Sequence, residues 1–173
     1  MEKKYKLTDE TIKLNGVTLY RIEALKDFGE IKKGDKGGFI ASENNLAHEG
    51  NAWVSDNARV YGDANVCDYS SVFGNALVYD NARVYGDALV RGYACVCGDA
   101  EISNKSDYIV FQNWWSSGRY FTWTRSNNMW SVGCFYGTGE ELIKKAYKDS
   151  ELSGREYERI VKYVEEIRKD NGK

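Results

Sequence analysis

The stretch from Asn51 to Asn104, NAWVSD NARVYG DANVCD YSSVFG NALVYD NARVYG DALVRG YACVCG DAEISN, divides into nine six-residue units without an insertion. The second position of a unit is alanine or Ser70, and the fourth is valine or Ile102. Two residues that are two positions apart point to the same side of a strand. The other positions are rich in glycine, asparagine and aspartate, which tolerate the backbone of a bend. Each unit is therefore predicted to be a short strand and a bend.

Such a unit cannot bury its apolar side alone, so the units must stack into a solenoid with a shared interior. The pattern over residues 60–65 and 84–89 resembles the hexapeptide repeat of left-handed parallel β-helices, in which three units form one triangular coil. The handedness comes from the resemblance, because periodicity does not select it and parallel crossovers are generally right-handed. The predicted class is mainly β, a left-handed parallel β-helix.

A coil of three units sorts the outward side chains onto three flat faces, with stacked units about 4.8 Å apart. The face of the second, fifth and eighth units is the most apolar, and exposed apolar patches most often mark partner surfaces. Proteins with this repeat commonly form trimers through a face. We therefore expect a homo-oligomer, with a trimer as the first expectation and a dimer as the alternative. The predicted contact residues are Arg59, Tyr61, Leu77, Tyr79 and Cys95.

Aspartates recur at the bends, at Asp56, Asp63, Asp68, Asp80, Asp87 and Asp99. No Gly-Gly-x-Gly-x-Asp nonapeptide accompanies them, so they are interpreted as turn carboxylates and not as calcium ligands. The four cysteines include no Cys-x-x-Cys and no second metal-spaced pair, which favours reduced thiols. The sequence therefore predicts no metal site and no cofactor.

The charge balance of 24 basic and 26 acidic residues gives a net charge of −2, without the footprint of a bulk nucleic-acid-binding protein. No apolar run is long enough to span a bilayer. The first residues lack the hydrophobic stretch of a signal peptide. We expect a cytoplasmic location and no membrane partner.

Both flanks are predicted to close the open ends of the solenoid, whose unpaired strand groups would otherwise invite further pairing. Residues 11–14 and 17–22 flank the turn Asn15-Gly16, which is a strong β-hairpin signal. Between residues 39 and 50 the six-residue phase continues weakly. Its expected inward residues are Ile40, Ser42, Leu46 and His48.

The C-terminal flank is predicted to be a small α+β cap. Residues 120–125 and 129–133 form two strands joined by a turn. Thr138 and Glu141 form a capping box at the start of one helix, and Ser153 and Glu156 form a second box before another. The predicted domains are residues 1–38, an N-terminal β-hairpin cap, 39–110, the β-helix, and 111–173, the hairpin and two-helix cap.

His48 is the only histidine, which argues against the enzyme classes known for this repeat. Hexapeptide acyltransferases use a histidine as general base, and they often project a loop from the coils, whereas these nine units are uninterrupted. The three-histidine zinc site of hexapeptide carbonic anhydrases would need one histidine from each of three subunits. No other catalytic or nucleotide motif is present. We expect no enzymatic activity and no catalytic residue, with an atypical acyltransferase as the third-ranked function.

Four of the five tryptophans lie within residues 114–130, interleaved with arginines. Two interpretations stay open. In the first interpretation, these aromatic side chains form the core of the cap, because a domain this small needs large side chains to build a core. Alternatively, the rings and arginines form a stacking site for a planar base and its phosphate. The predicted ligand- or partner-binding residues are Trp114, Trp115, Arg119, Tyr120, Trp123, Arg125 and Trp130.

The order of these motifs resembles a family of phage and prophage proteins that combine a hexapeptide-repeat β-helix with a C-terminal aromatic hairpin and helices. The resemblance covers nearly the whole chain, and Trp114-Trp115 departs from the family's usual C-terminal pattern. No catalytic residue transfers from the family. Its motifs here are Gly37-Gly38-Phe39-Ile40, the repeated Asn-Ala-x-Val-Tyr-Gly, and Gly133-Cys134-Phe135-Tyr136-Gly137-Thr138.

A phage origin, which the resemblance implies, favours a protein that binds a host component over one that transforms it. The leading hypothesis is a non-enzymatic counter-defence protein in the host-cell cytoplasm. It would sequester a nucleotide signal, or block a host defence effector such as a CRISPR nuclease by direct contact. The alternative is a structural or virion-associated, self-assembling solenoid.

Overall fold

The computed structural model describes residues 2–170, so the ends of the predicted terminal domains, residues 1 and 171–173, lie outside it. The fold is mainly β, with two helices at its C-terminal end. The N-terminal elements are β1 (Tyr5–Leu14), β2 (Val17–Ala24), β3 (Lys36–Ile40) and a 3-10 helix (Glu43–Asn45). The repeat strands are β4 (Trp53–Val54), β5 (Arg59–Val60), β6 (Asn65–Val66), β7 (Ser71–Val72), β8 (Leu77–Val78), β9 (Arg83–Val84), β10 (Leu89–Val90), β11 (Cys95–Val96) and β12 (Glu101–Ile102). The C-terminal elements are β13 (Tyr108–Gln112), β14 (Tyr120–Thr124), β15 (Met129–Val132), β16 (Phe135–Gly137), α1 (Gly139–Asp149) and α2 (Glu151–Asp170).

The nine repeat strands form a solenoid with three faces, which confirms the predicted β-helix architecture. Each of the first six repeat strands pairs in parallel with the strand three units later, giving the stacks β4-β7-β10, β5-β8-β11 and β6-β9-β12. The second- and fourth-position side chains fill the interior and are fully buried in all nine units. Burial of this continuous apolar column stabilises units that would be unstable alone.

The bends depend on left-handed backbone at the sixth position of the unit. Positive φ occurs there in eight units, at Asp56, Gly62, Asp68, Gly74, Asp80, Gly86, Gly92 and Gly98. Each of the three aspartates also accepts a hydrogen bond from the backbone N–H of a glycine in the next coil. These bonds join Asp56 to Gly74 at 3.0 Å, Asp68 to Gly86 at 3.0 Å and Asp80 to Gly98 at 3.2 Å. The interpretation as turn carboxylates is confirmed for these three residues.

The first coil is irregular, as predicted, but its register differs from the expected one. Ile40 pairs with Val60 and Leu46 bridges to Val66, so both occupy fourth positions and both are fully buried. The predicted inward placement of Ser42 and His48 is wrong, because two extra residues between Leu46 and Val54 shift the phase of the coil. Ser42 and His48 are only partly buried.

The two ends of the solenoid differ chemically, because every ladder N–H points toward the next coil. The bond from Trp53 N–H to Ser70 O, 3.0 Å long, is typical. The first coil therefore leaves carbonyls without a ladder donor, and N-terminal side chains donate to them. Lys4 Nζ donates to Ala52 O at 2.8 Å, and the Tyr5 hydroxyl donates to Leu46 O at 2.7 Å.

The last coil leaves N–H groups without a ladder acceptor, and the C-terminal segment supplies one hydroxyl acceptor on each face. Such side-chain partners satisfy backbone donors that the ladder leaves unpaired. The bonds run from Arg91 N–H to Tyr108 Oη (3.3 Å), from Cys95 N–H to Thr122 Oγ1 (2.9 Å) and from Glu101 N–H to Ser126 Oγ (2.8 Å).

The hairpin β1-β2 does not only cover the first coil. It also extends the solenoid face formed by β5, β8 and β11, since β2 pairs with β3, and β3 in turn pairs with β5. At the other end, β13 to β16 form a four-stranded antiparallel sheet with the order β13-β14-β15-β16. The predicted pair β14 and β15 is confirmed, and β13 and β16 were not predicted. The predicted boundary between residues 110 and 111 falls inside β13.

The two helices pack on the face of this sheet that lies away from the solenoid. The predicted capping box of α1 is confirmed, with Thr138 as the cap and Glu141 as its partner. The predicted start of α2 at Ser153 is wrong. The helix begins at Glu151, because the Ser150 hydroxyl accepts the N–H of Ser153 at 3.0 Å and so caps the helix three residues earlier. Within residues 2–170, no helix combines the length and apolar character needed to cross a membrane.

Candidate functional site

The predicted aromatic residues are divided between a core and a surface. Trp123 and Trp130 are only 3% and 2% exposed, and they pack with Phe121, Leu142 and Val161 between the sheet and the helices. Trp114, by contrast, is 80% exposed. The compact-core interpretation therefore holds for part of the cluster, and one tryptophan is left on the surface.

The loop before β14 holds the second group of predicted residues. Trp115 packs edge-on against Tyr157, with ring centroids 5.5 Å apart, and its indole N–H donates to Ser153 Oγ at 3.3 Å. Trp114 lies edge-on to Trp115 at 6.3 Å, which leaves most of its surface in solvent. Arg119 is exposed at the start of β14.

Arg119 and Arg125 flank the two ends of β14. Six residue steps at about 3.3 Å each place them roughly 20 Å apart. Tyr120 lies at the Arg119 end of the strand, and Trp123 lies near the Arg125 end. The structure therefore does not bring the seven predicted residues into one pocket.

A surface cavity of about 660 Å³ lies beside the Arg125 end of β14. The guanidinium of Arg168 lies over the Trp123 ring, 5.8 Å from its centroid, in a cation–π arrangement. The indole N–H of Trp123 donates to Asn128 Oδ1 at 2.9 Å, which fixes the ring. The cavity is lined by Ser106, Ile109, Trp123, Arg125, Ile167 and Arg168. We refer to it as cavity A.

A second cavity, of about 440 Å³, lies on the solenoid side of the same sheet. The rings of Tyr93 and Tyr120 stack in it, with centroids 4.3 Å apart and planes 9° apart. Its lining comprises Arg91, Gly92, Tyr93, Lys105, Tyr108, Ile109, Val110 and Tyr120. We refer to it as cavity B. Ile109 and the strand β13 adjoin both cavities.

Together, the two cavities form a cationic and aromatic surface. No described residue that lines either cavity is acidic. The four cations are Arg91, Lys105, Arg125 and Arg168, and within residues 2–170 none of them forms an ion pair. Such a surface on a chain of net charge −2 favours an anionic ligand.

Only Arg125 of these four cations was predicted as a site residue. The other three lie in the seventh repeat unit, in the segment after the repeat and in the last turns of α2. No spacing in the sequence connects these segments. Their proximity follows from the docking of the sheet on the last coil.

The predicted oligomer face is partly occupied by the chain's own caps. Tyr61 hydrogen-bonds Asn15 at the tip of the hairpin, and the rings of Tyr61 and Tyr79 stack at 5.0 Å. Cys95 lies under the C-terminal sheet, where Ser131 Oγ donates to its Sγ at 3.1 Å. The five predicted contact residues, Arg59, Tyr61, Leu77, Tyr79 and Cys95, are all half-buried within one chain.

Cys95 belongs to a small thiol cluster with Cys97 and Tyr79. The hydrogen bond from Cys97 lowers the pKa of the Cys95 thiol to about 6, and bonds from Ser131 and Tyr79 act in the same direction. The pKa of Cys97 is raised, because its thiol is the donor to Cys95 and because it is buried. Among the described residues, no group of three histidine, cysteine or acidic side chains is arranged to hold a metal ion.

His48 lies at the N-terminal end of the solenoid. Its ring stacks on Tyr5 with centroids 4.3 Å apart, and its Nδ1 accepts the backbone N–H of Lys4 at 3.2 Å. Its Nε2 lies 3.5 Å from a carboxylate oxygen of Glu43. These contacts place His48 in the packing of the first coil, where the sequence predicts a core-end or turn role for it.

Comparison with known families gives one match. A family model described as the YdcK β-solenoid repeat matches residues 76–92, which belong to the fifth, sixth and seventh units. The match supports a β-solenoid repeat. No curated protein matches the chain significantly.

Proposed function

We propose that this chain is a phage-encoded, non-enzymatic binding protein that acts against host defence in the host-cell cytoplasm. In this proposal the solenoid is a left-handed hexapeptide scaffold, and the C-terminal cap carries the recognition surface. The observation that carries the proposal is the grouping of four cations, none of them in an ion pair within residues 2–170, with tyrosine side chains and the Trp123 ring around cavities A and B. Arginine and aromatic side chains are the residues most enriched at energetically important contacts.

The regular solenoid supports a scaffold role. Its interior is filled mainly by alanine and valine side chains, and no loop is inserted between the nine units. Specific recognition is therefore assigned to the irregular cap. The partner is anionic in both forms of the proposal, either a nucleotide signal or an acidic surface of a defence effector.

The nucleotide form places the phosphates between Arg125 and Arg168 in cavity A. The guanidinium group of an arginine can donate two parallel hydrogen bonds to two phosphate oxygens. Two arginines that line one cavity therefore make an effective phosphate site. Arg168 covers one face of Trp123, so a base would stack on this ring only after the guanidinium moves toward the phosphates. Binding would then exchange the cation–π contact for phosphate bonds.

Calorimetric titration with a panel of cyclic and linear nucleotides tests this form. We expect Arg125→Gln and Arg168→Gln to weaken binding at least about tenfold each, since each removes a charged hydrogen bond. Arg159→Gln is the matched control, because Arg159 lies on α2 and pairs with Glu156 at 2.6 Å. No heat with any nucleotide of the panel would exclude the nucleotide form.

The direct-contact form is tested by affinity capture from host lysate, followed by identification of the captured protein and a binding assay with it purified. We expect the combined variant Trp114→Ala, Trp115→Ala and Arg119→Ala to lose capture if the exposed loop forms part of the contact. Sedimentation of the free protein tests the proposed homo-oligomer in the same preparation. Failure of both nucleotide binding and effector capture would refute the proposed function.

A further inference from the structure

We infer that the outer edge of β13 is a docking site for an extended, acidic segment of a partner protein, which adds to the C-terminal sheet as a fifth strand. The inference rests on the direct-contact form of the proposed function. It specifies how the partner is held. Main-chain hydrogen bonds would give affinity, and alternating side chains would give specificity.

The ladder between β13 and β14 determines which backbone groups of β13 face outward. The bonds from Arg125 N–H to Asp107 O and from Asn113 N–H to Arg119 O, both 2.8 Å, bracket the strand. Because hydrogen-bonded pairs alternate in an antiparallel ladder, the odd-numbered residues of β13 bond to β14. The even-numbered residues, Tyr108, Val110 and Gln112, present N–H and C=O groups at the outer edge. No backbone group elsewhere in residues 2–170 bonds to this edge.

The edge of β13 lacks the features that protect exposed strands from pairing. Charged side chains and bulges are the usual protection. The other long edge strand, β1, has both, with Lys6, Glu10 and Lys13 along it and a register shift between Leu7 and Thr11. The sequence of β13, Tyr-Ile-Val-Phe-Gln, has no charge and an unbroken register with β14. It is therefore competent to pair.

The positive charge on both faces of the sheet beside β13 determines which side chains the added strand should carry. Side chains of an incoming strand alternate between the two faces of the sheet. On the helix face they meet cavity A, with Arg125 and Arg168, and on the solenoid face they meet cavity B, with Arg91 and Lys105. Cations on both faces and no acidic lining residue favour glutamate or aspartate in the partner.

The test uses the full-length protein and a capped ten-residue peptide, Glu-Glu-Thr-Thr-Glu-Glu-Thr-Thr-Glu-Glu, which presents glutamates on both faces of an added strand. The same peptide with lysine in place of glutamate is the charge control. We expect the acidic peptide to bind and the basic peptide not to bind, measured by fluorescence anisotropy at low salt. Hydrogen exchange should slow at the amides of Tyr108, Val110 and Gln112 when the acidic peptide is present.

The decisive variant is Val110→Pro. It removes an outward N–H but no bond to β14, and proline is tolerated on edge strands. Val110→Ala is its matched control, because it loses similar packing and keeps the N–H. We expect at least tenfold weaker peptide binding for Val110→Pro and less than threefold for Val110→Ala, with circular dichroism confirming that both fold. The double variant Arg91→Glu and Lys105→Glu should reduce the preference for the acidic peptide.

Equal peptide binding by the two Val110 variants, or no preference for the acidic peptide, would overturn the inference. Its failure is distinguishable from failure of the proposed function. If Val110→Pro still captures the host effector as wild type does, the direct-contact function stands and strand addition is refuted. If neither protein captures an effector but the acidic peptide binds as expected, the edge is confirmed as a strand acceptor and the counter-defence role fails.

Discussion

Replacing Lys4 with methionine tests how the carbonyl end of the solenoid holds an ammonium group. Lys4 is 1% exposed, and its Nζ donates to Ala52 O at 2.8 Å and to two further carbonyls at 3.4 Å. Burial lowers the pKa of Lys4 from 10.5 to about 8, with a smaller contribution from the charge of Lys26. The charged form therefore costs free energy in the folded protein.

The sign of the pH dependence follows from proton linkage. Between pH 8 and the unfolded-state pKa of 10.5, the unfolded chain binds more protons at Lys4 than the folded chain does. The free energy of unfolding therefore rises with pH through this window. The full shift corresponds to roughly 3 kcal/mol, of which about 2 kcal/mol is recovered between pH 7 and pH 9.5.

We therefore expect wild type to gain about 2 kcal/mol relative to Lys4→Met between pH 7 and pH 9.5. Urea unfolding of both proteins at several pH values measures the difference, in which groups that titrate alike in both proteins cancel. Lys3→Met is the control, because the Lys3 side chain is 57% exposed, and its difference from wild type should not change in this way. A difference between wild type and Lys4→Met that stays constant, or that changes in favour of the variant as pH rises, would refute a buried ammonium at Lys4.

Three further predictions concern the repeat and the cap, and urea unfolding checks each of them. Ser70→Ala should change the free energy of unfolding by less than about 1 kcal/mol, because both carbonyls that accept the buried hydroxyl also accept a backbone N–H; a loss comparable to that of Val78→Ala, about 2 to 4 kcal/mol, would contradict this. Gly62→Ala should cost at least about 1 kcal/mol, since φ is +67° and the added Cβ would lie 3.1 Å from a backbone nitrogen of the next coil; an unchanged midpoint would argue against left-handed backbone there. Trp114→Ala should change stability by less than about 0.5 kcal/mol and Trp130→Ala should cost about 3 to 5 kcal/mol, because only the second ring is buried; equal losses would show that Trp114 is part of the core.

The parts of the fold that follow local rules could be predicted from the sequence. The Asn15-Gly16 turn, the capping box at Thr138 and the strand pair in the cap depend on residues close in the chain, and all three are present. The register of the first coil could not be predicted, because the two-residue insertion before Val54 has no local signature. Lys4 was missed for a related reason, since its carbonyl partners lie 45 or more residues away.

The sequence predicts which residue types the candidate site contains, but not which of these residues are exposed. The aromatic cluster identified the cap as the informative region, but burial decided that Trp123 and Trp130 stabilise a core while Trp114 faces solvent. The alternation of side chains along a strand assigns them to the two faces of a sheet, but it does not show which face is covered by other elements of the fold. Helices α1 and α2 cover one face and the solenoid end covers the other.

The solenoid follows from the sequence, because alanine and valine two positions apart must face one side of a strand, and only stacking buries that side. The grouping of the cations around cavities A and B, by contrast, depends on the tertiary structure. Arg91, Lys105, Arg125 and Arg168 come from separate segments of the chain. They lie around one sheet because the C-terminal segment docks on the last coil, where the hydroxyls of Tyr108, Thr122 and Ser126 accept open N–H groups. The strand order of the C-terminal sheet places β13 at its edge, and the docking leaves this strand between two cationic cavities.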